Sequence, residues 1–296
     1  MGPDEGVTPL ALCRFAHLLA AMTVFGASVY LRLYAPAGLR RALSPKVKPL
    51  AIAASLIVLA TACLCLSLEA ASMVEDLDAA VDPGSIAAVL IDTAFGRAWM
   101  LHLAVAAALA GAAVLAPRDG WTAIAILSGL VLASLGLVGH AAMQTGVEGA
   151  VHRANHAVHL LAAAAWIGGL LPFVLCLDAY ARDTLRRDVV TAMMRFSYWG
   201  HVVVAVIVAT GIVNIALTSG RAPLPPTTPY RALLDVKIVL VAAMIGLAVV
   251  NRYVLVPRLK GGGSALSAMR AISLLNVALG TIVVGLVSVF ALLDPG

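Results

Sequence analysis

The sequence predicts an all-α fold, a polytopic membrane protein built as a bundle of eight transmembrane helices, and three observations lead there. Hydrophobic residues make up 62% of the 296 and charged residues 12%, with a mean hydropathy of +1.00, more apolar side chain than a soluble domain can hide. Eight apolar runs approach or exceed the roughly 20 residues that a helix needs to cross the hydrocarbon core. Those runs are long and rich in Ala, Leu and Val rather than short and alternating, which argues for helices over a barrel.

The first run, 10–34, is bracketed by Pro9 and Pro36. Asp4 and Glu5 precede it where a cleaved signal peptide would carry basic residues, so it is read as a retained helix. The second, 50–72, opens on Pro49; the third, 97–116, closes on Pro117; the fourth covers 121–141. The fifth and sixth occupy 153–176 and 196–218, the seventh, 232–256, closes on Pro257, and the eighth is 270–293. All belong to a single transmembrane domain, 1–296.

Lys and Arg in the connections set the orientation. The side reached after the odd-numbered helices holds fourteen of them, from Arg32, Arg40, Arg41, Lys46 and Lys48 to Lys260 and Arg270, against six on the other side. Both termini are therefore expected in the periplasm, along with the acidic connection carrying Glu75, Asp76, Asp78, Asp82 and Asp92. Anchoring to the anionic cytoplasmic leaflet accounts for the net charge of +5, and no nucleic-acid partner is needed. Cys13, Cys63, Cys65 and Cys176 all fall in or beside apolar spans and read as thiols rather than as a disulfide framework. A weak four-plus-four parallel repeat is visible: His17-Leu-Leu-Ala-Ala recurs as His159-Leu-Leu-Ala-Ala, and Thr93-Ala-Phe-Gly resembles Thr228-Pro-Tyr-Arg, which aligns His102 with Lys237.

On this topology six of the seven histidines lie near the periplasmic side, and only His201 lies near the cytoplasmic one. His152, His156 and His159 share one helix face, because steps of four and seven residues return to nearly the same angle. Ionisable residues inside a membrane are costly and mark function by default. Sulfur donors occupy the same layer: Cys13 four residues before His17, Met143 three after His140, Met100 beside His102. Imidazole with thiolate or thioether suits copper, Cu(I) increasingly as the sulfur share rises, with zinc also compatible. Glu69 and Glu148 are too few for a hard-cation site. Cys63 and Cys65, two apart, point in different directions. Each donor has a structural alternative: Cys13 with His17 as packing, the methionines as core or lipid-facing, His152 as an interface residue.

Trp166 returns to the histidine stripe about four turns past His152, Gly168 and Gly169 allow close helix approach, and Pro172 can kink the inner end of that helix. Lys237 either snorkels outward or faces the interior. No phosphate loop, dinucleotide fingerprint, nucleophile elbow or His-Glu-x-x-His pair occurs, so the expectation is a transporter or delivery protein and not an enzyme.

Gly139-His140-Ala141, His159 through Trp166 to Gly168-Gly169-Leu170, Arg195-Phe196-Ser197, Thr210-Gly211, Thr228 with Tyr230, Leu233-Leu234 with Lys237, and Asn251-Arg252 before Pro257 together resemble the copper resistance D (CopD/PcoD) family of bacterial inner-membrane proteins. The resemblance covers helices four to eight well and the first three mainly by topology. It implies an eight-helix protein of the cytoplasmic membrane that moves copper inward beside a separate periplasmic CopC-like partner. His140, His159, Trp166 and Lys237 carry over by position. The usual Tyr-Gly start of helix seven reads Tyr230-Arg231 here, which leaves that glycine's contact in doubt.

The expected function is copper transport or delivery across the bacterial inner membrane, the ion being Cu(I) or Cu(II). His140, Met143, His152 and His156 would capture it, His159 would take the deeper step, and Cys13 with His17 would form a second site. Two other readings stand beside it: a b-type haem protein with axial ligands drawn from His17, His102 and His159, and a scaffold that only docks a periplasmic chaperone.

Overall fold

In a computed structural model of the chain, which describes residues 7–117, 119–139, 144–219, 228–259, 263–290 and 293, a helix covers most of each of the eight apolar runs. α1 (Val7–Val29) continues through a π-helical turn (Tyr30–Tyr34); α2 (Ala37–Val74) and α3 (Pro83–Asp92) follow, then α4 (Ala94–Leu115). α5 (Trp121–Ser134) ends in a 3₁₀ turn (Leu135–Leu137), and α6 (Gly146–Asp178) and α7 (Arg186–Ser219) come next. α8 (Pro229–Val250), a π-helical turn (Asn251–Leu255), the short α9 (Val256–Arg258) and α10 (Gly263–Phe290) complete the chain. Among the described residues seven helices are long and apolar enough to cross a membrane, and the stretch Trp121–Leu137 is shorter.

Four helices, α2, α6, α7 and α10, begin seven or more residues earlier than the apolar runs suggest. α2 runs through Pro45 and Pro49, so Pro49 does not open it. Each proline removes one backbone donor, yet Leu39, Leu43 and Val47 recur at helical spacing and are buried in the core, which holds this polar extension helical. α6 and α7 likewise start several residues upstream, on charged turns. The acidic connection contains α3, capped by Asp82, whose carboxylate accepts from the Ser85 hydroxyl and amide, each at 2.7 Å. Those bonds, the hydroxyl's first, hold the Asp82 carboxyl below the usual carboxylate range.

α1 and α6 are the central pair. More than half of each span is buried, 56% and 61%, whereas α7 and α8 are 6% and 11% buried and present apolar faces outward. α1 and α6 cross at Gly26 and Gly168, where a Cβ on either glycine would meet the other helix's backbone. α6 passes unbroken through Pro172 to Asp178. At that end Tyr30, Tyr34, Phe173 and Phe196 form an aromatic cluster with ring centroids 5.0–5.8 Å apart.

The two halves make the same bonds. His17 of α1 meets Thr61 of α2 through Nδ1 and Oγ1 at 2.9 Å, and His159 of α6 meets Thr210 of α7 through the same atoms at 2.9 Å. Thr93 caps α4 on the amide of Gly96, and Thr228 caps α8 on that of Arg231. Gly26 and Gly168 stand at the same offset as His17 and His159. The halves differ in their outer helices: α2 packs along α4, whereas α7 and α8 stand apart and a cavity fills the space between them.

Candidate functional site

Four helices converge on His17 and His102. Both rings are buried, 2% and 1% exposed, and their Nε2 atoms lie 3.1 Å apart. The other nitrogen of each ring is held by a hydroxyl. His17 Nδ1 lies 2.9 Å from Thr61 Oγ1, and His102 Nδ1 lies 2.8 Å from Ser134 Oγ. Each hydroxyl spends its one proton on its own helix, Thr61 on the carbonyl of Ile57 at 2.6 Å and Ser134 on that of Val131 at 2.8 Å. The oxygens are therefore left to accept, and the Nδ1–H of each imidazole donates to them. In that tautomer of both rings the two Nε2 lone pairs face each other across 3.1 Å and are open to a shared cation; with a proton on one Nε2 the same contact is an imidazole–imidazole hydrogen bond.

The distance suits a shared ion. With metal–nitrogen bonds of about 2 Å, two nitrogens 3.1 Å apart subtend roughly 100° at the metal, close to the angle between ligands of a tetrahedral site. Two in-line axial bonds of a haem iron would need about 4 Å, so the pair does not sit as axial ligands on opposite faces of one macrocycle. Trp99 stacks on His102 with centroids 4.5 Å apart and planes at 21°, Phe95 stacks on Trp99 at 5.1 Å, and the Trp99 indole N–H donates to the carbonyl of Ala62. These contacts fix the ring plane of His102.

One helical turn from the imidazoles lies a pair of thiols. Cys13 Sγ and Cys65 Sγ are 2.8 Å apart, both buried, and Cys13 Sγ also donates to the carbonyl of Thr61 at 3.3 Å. Arg14 and Glu69 form an ion pair at 2.6 Å beside them, so Glu69 is neutralised by a partner. Thr61, Cys65 and Glu69 recur every four residues along α2 and face Cys13, Arg14 and His17 of α1. Sequence reasoning missed Cys65, Thr61, Trp99 and Ser134; the four-residue stripe on α2 was the signal that could have found the first two. Cys63 points away and is exposed, and Cys176 is buried elsewhere in the core.

The second half carries the same frame with different chemistry. Asn155 occupies the place of Cys13 and Asn214 that of Cys65: the Asn155 amide donates to the carbonyl of Thr210 at 2.9 Å and to Asn214 Oδ1 at 2.8 Å, as Cys13 meets Thr61 and Cys65. Lys237 stands where the repeat aligns His102, and it faces the interior cavity rather than snorkelling outward. Soft donors and paired imidazoles in one half are thus amides and an ammonium in the other.

A cavity of about 520 Å³ joins the halves. Arg14, His17, Cys65, Glu69 and Trp99 line one wall; His152, His156, His159, Trp166 and Lys237 line the other. The histidine stripe on α6 therefore does face a common space. His152 is bonded through Nδ1 to Gln144 Oε1 at 2.9 Å. Among the described residues, no three His, Cys, Asp or Glu side chains converge on one point, so the donors come in pairs and along a path. Met100 is exposed and lies off the buried face that carries His102. His140 and Met143 lie outside the described residues, between Gly139 and Gly146, whose φ of +71° and +66° L side chains rarely adopt. His201 is exposed and bonded to Ser197 and Tyr253, away from the cavity. Thr61→Val and Ser134→Ala, which untether one imidazole each, are expected to lower metal affinity about 10- to 100-fold without unfolding the protein, as read by competition titration.

Residues 4–150 match the family model described as copper resistance protein D-like, N-terminal domain, and residues 190–290 match the model described as copper resistance protein D. Over 283 residues the sequence is 34% identical to inner membrane protein YebZ of Escherichia coli strain K12, covering 95% of this chain and 97% of that protein. It is 30% identical over 308 residues to copper resistance protein D of Pseudomonas syringae pv. tomato, 97% of each. A 143-residue stretch is 32% identical to copper transport protein CutJ of Bacillus subtilis strain 168, covering 46% of this chain and 26% of that protein. No solved structure matches.

Proposed function

Because the chain belongs to the copper resistance protein D family, we propose that it is a multi-pass protein of the bacterial inner membrane that takes up copper ions from the periplasmic side and conducts them inward. The observation that carries this reading is the pair of buried, facing imidazole nitrogens, His17 Nε2 and His102 Nε2, near the thiols of Cys13 and Cys65. Two imidazoles with two thiols one helical turn away offer nitrogen and sulfur donors in succession, chemistry that suits a soft or borderline ion, and Cu(I) above all. The basic connections follow the first, third, fifth and seventh apolar runs, a bias that supports an orientation with the termini, and with them this site, toward the periplasm.

In this reading His152 and His156 receive the ion, together with His140 and Met143 and beside a CopC-like donor, and the cavity hands it to His17 and His102. His159 is the onward step. Lys237 lines the same cavity and adds a positive charge, so the ion binds weakly there and leaves, as conduction requires. The aromatic cluster of Tyr30, Tyr34, Phe173 and Phe196 lies outside the cavity lining, with Phe173 two turns past Trp166 on α6. Proteoliposomes of known orientation loaded with a Cu(I) chelator test the reading. Wild-type protein is expected to accumulate copper, and His159→Ala to slow uptake about tenfold or more while the tight site still fills. Equal uptake by wild type, by a His17→Ala/His102→Ala variant and by empty vesicles would overturn it.

A further inference from the structure

Cys13 and Cys65 sit on facing helices with their sulfurs 2.8 Å apart, about 0.8 Å from the length of a covalent bond between them, and both are free thiols. Thr61 ties this pair to the imidazole pair: its carbonyl accepts from Cys13 Sγ and its hydroxyl from His17 Nδ1. Cys65 and His17 both open onto the cavity. Cys63, two residues from Cys65, faces out of the bundle, and Cys176 contacts the backbone of Val189 far along the chain. A dithiol poised to close, one turn from a two-imidazole site, is more than a ligand set needs.

We propose that Cys13 and Cys65 reduce Cu(II) to Cu(I) at this site, so that the ion enters the path in the soft, monovalent form. The inference rests on the reading that His17 and His102 bind copper. Two Cu(II) ions each gain one electron; the S–H bonds of Cys13 and Cys65 break, one bond forms between their sulfurs, and two protons leave to the aqueous phase. An external dithiol restores the pair by thiol–disulfide exchange. The second half, with Asn155 and Asn214 in the corresponding places, cannot perform this step.

The test is anaerobic, so that Cu(II) is the oxidant present. Reduced, purified protein is mixed with excess Cu(II), Cu(I) is read with a Cu(I)-specific chromophoric chelator, and disulfides are mapped by mass spectrometry. The expected result is about two Cu(I) per chain with a Cys13–Cys65 linkage. Cys13→Ser and Cys65→Ser should each abolish both, and Cys63→Ser and Cys176→Ser should preserve them. Separately, binding of Cu(I) supplied as such is measured for every variant. Copper bound with Cys13 and Cys65 still reduced, or Cu(I) formed equally by Cys13→Ser, overturns the redox step and leaves the copper site standing. Absence of binding in either valence overturns the site as well.

Discussion

Replacing His102 with alanine is expected to lower copper affinity by about 100-fold or more, and replacing His17 together with it to abolish binding, as measured by chelator competition on purified protein. The size follows from the geometry. Removing a hydroxyl that only orients a ligand costs about 10- to 100-fold, and removing one of two nitrogens 3.1 Å apart takes away a bond to the ion itself. The remaining imidazole keeps its Nδ1 bond to Thr61 and so remains in place, which separates loss of a ligand from loss of structure. His201→Ala supplies the control, because that ring bonds Ser197 and Tyr253 outside the cavity and its loss should leave binding unchanged. A His102→Ala protein that binds copper as tightly as the wild type would show that the facing lone pairs are a packing arrangement and no more.

The helices were legible in the sequence because apolar runs of membrane length have few alternatives, and among the described residues a helix underlies each predicted run, seven of them long enough to span. Helix ends were less legible. Pro49 looks like a start, yet the buried stripe of Leu39, Leu43 and Val47 outweighs two missing backbone donors. The site was legible by layer but not by partner. Periodicity along one helix finds Cys13 with His17, or the stripe of His152, His156 and His159. It does not say which neighbouring helix turns toward them, and that decides whether Cys65 or Met100 joins the site. Thr61 and Ser134 were invisible for a different reason: a hydroxyl in an apolar helix satisfies itself on the preceding turn, and nothing in its sequence context marks the ones that also accept from an imidazole. The faint repeat carried more information than its two short matches suggested. Aligned through His17 and His159 it sets Cys13 against Asn155, and the paired threonines, Thr61 and Thr210, set Cys65 against Asn214, which identifies the half that holds the soft donors.

Gly168→Leu is expected to cost about 3 kcal/mol or more of stability and to remove copper binding with it. Overpacking in a fitted core costs about 1–3 kcal/mol when side chains can yield, and here they cannot. A Cβ on Gly168 meets the carbonyl of Met22 and the Cα of Gly26, and a Cβ on Gly26 meets the backbone of Ala164, Gly168 and Gly169. These are backbone atoms of the two most buried helices, so the accommodation is a shift of α1 against α6. His17 lies on α1 and His159 on α6, and both half-sites take their register from this crossing. Neighbouring glycines grade the effect. At Gly169 the nearest atom is the Cε2 of Phe196 at 3.0 Å, a ring that can tilt, so Gly169→Ala should be milder. Gly246 has nothing within 4 Å, and Gly246→Ala should be neutral or stabilise α8 by up to about 1 kcal/mol through helix propensity. Thermal unfolding in detergent, followed by exposure of Cys176 to a thiol-reactive dye, measures all three, since that thiol is fully buried in the folded protein. A Gly168→Leu protein that melts with the wild type would mean that α1 and α6 do not cross at these glycines, and the correspondence between the two halves would lose its axis.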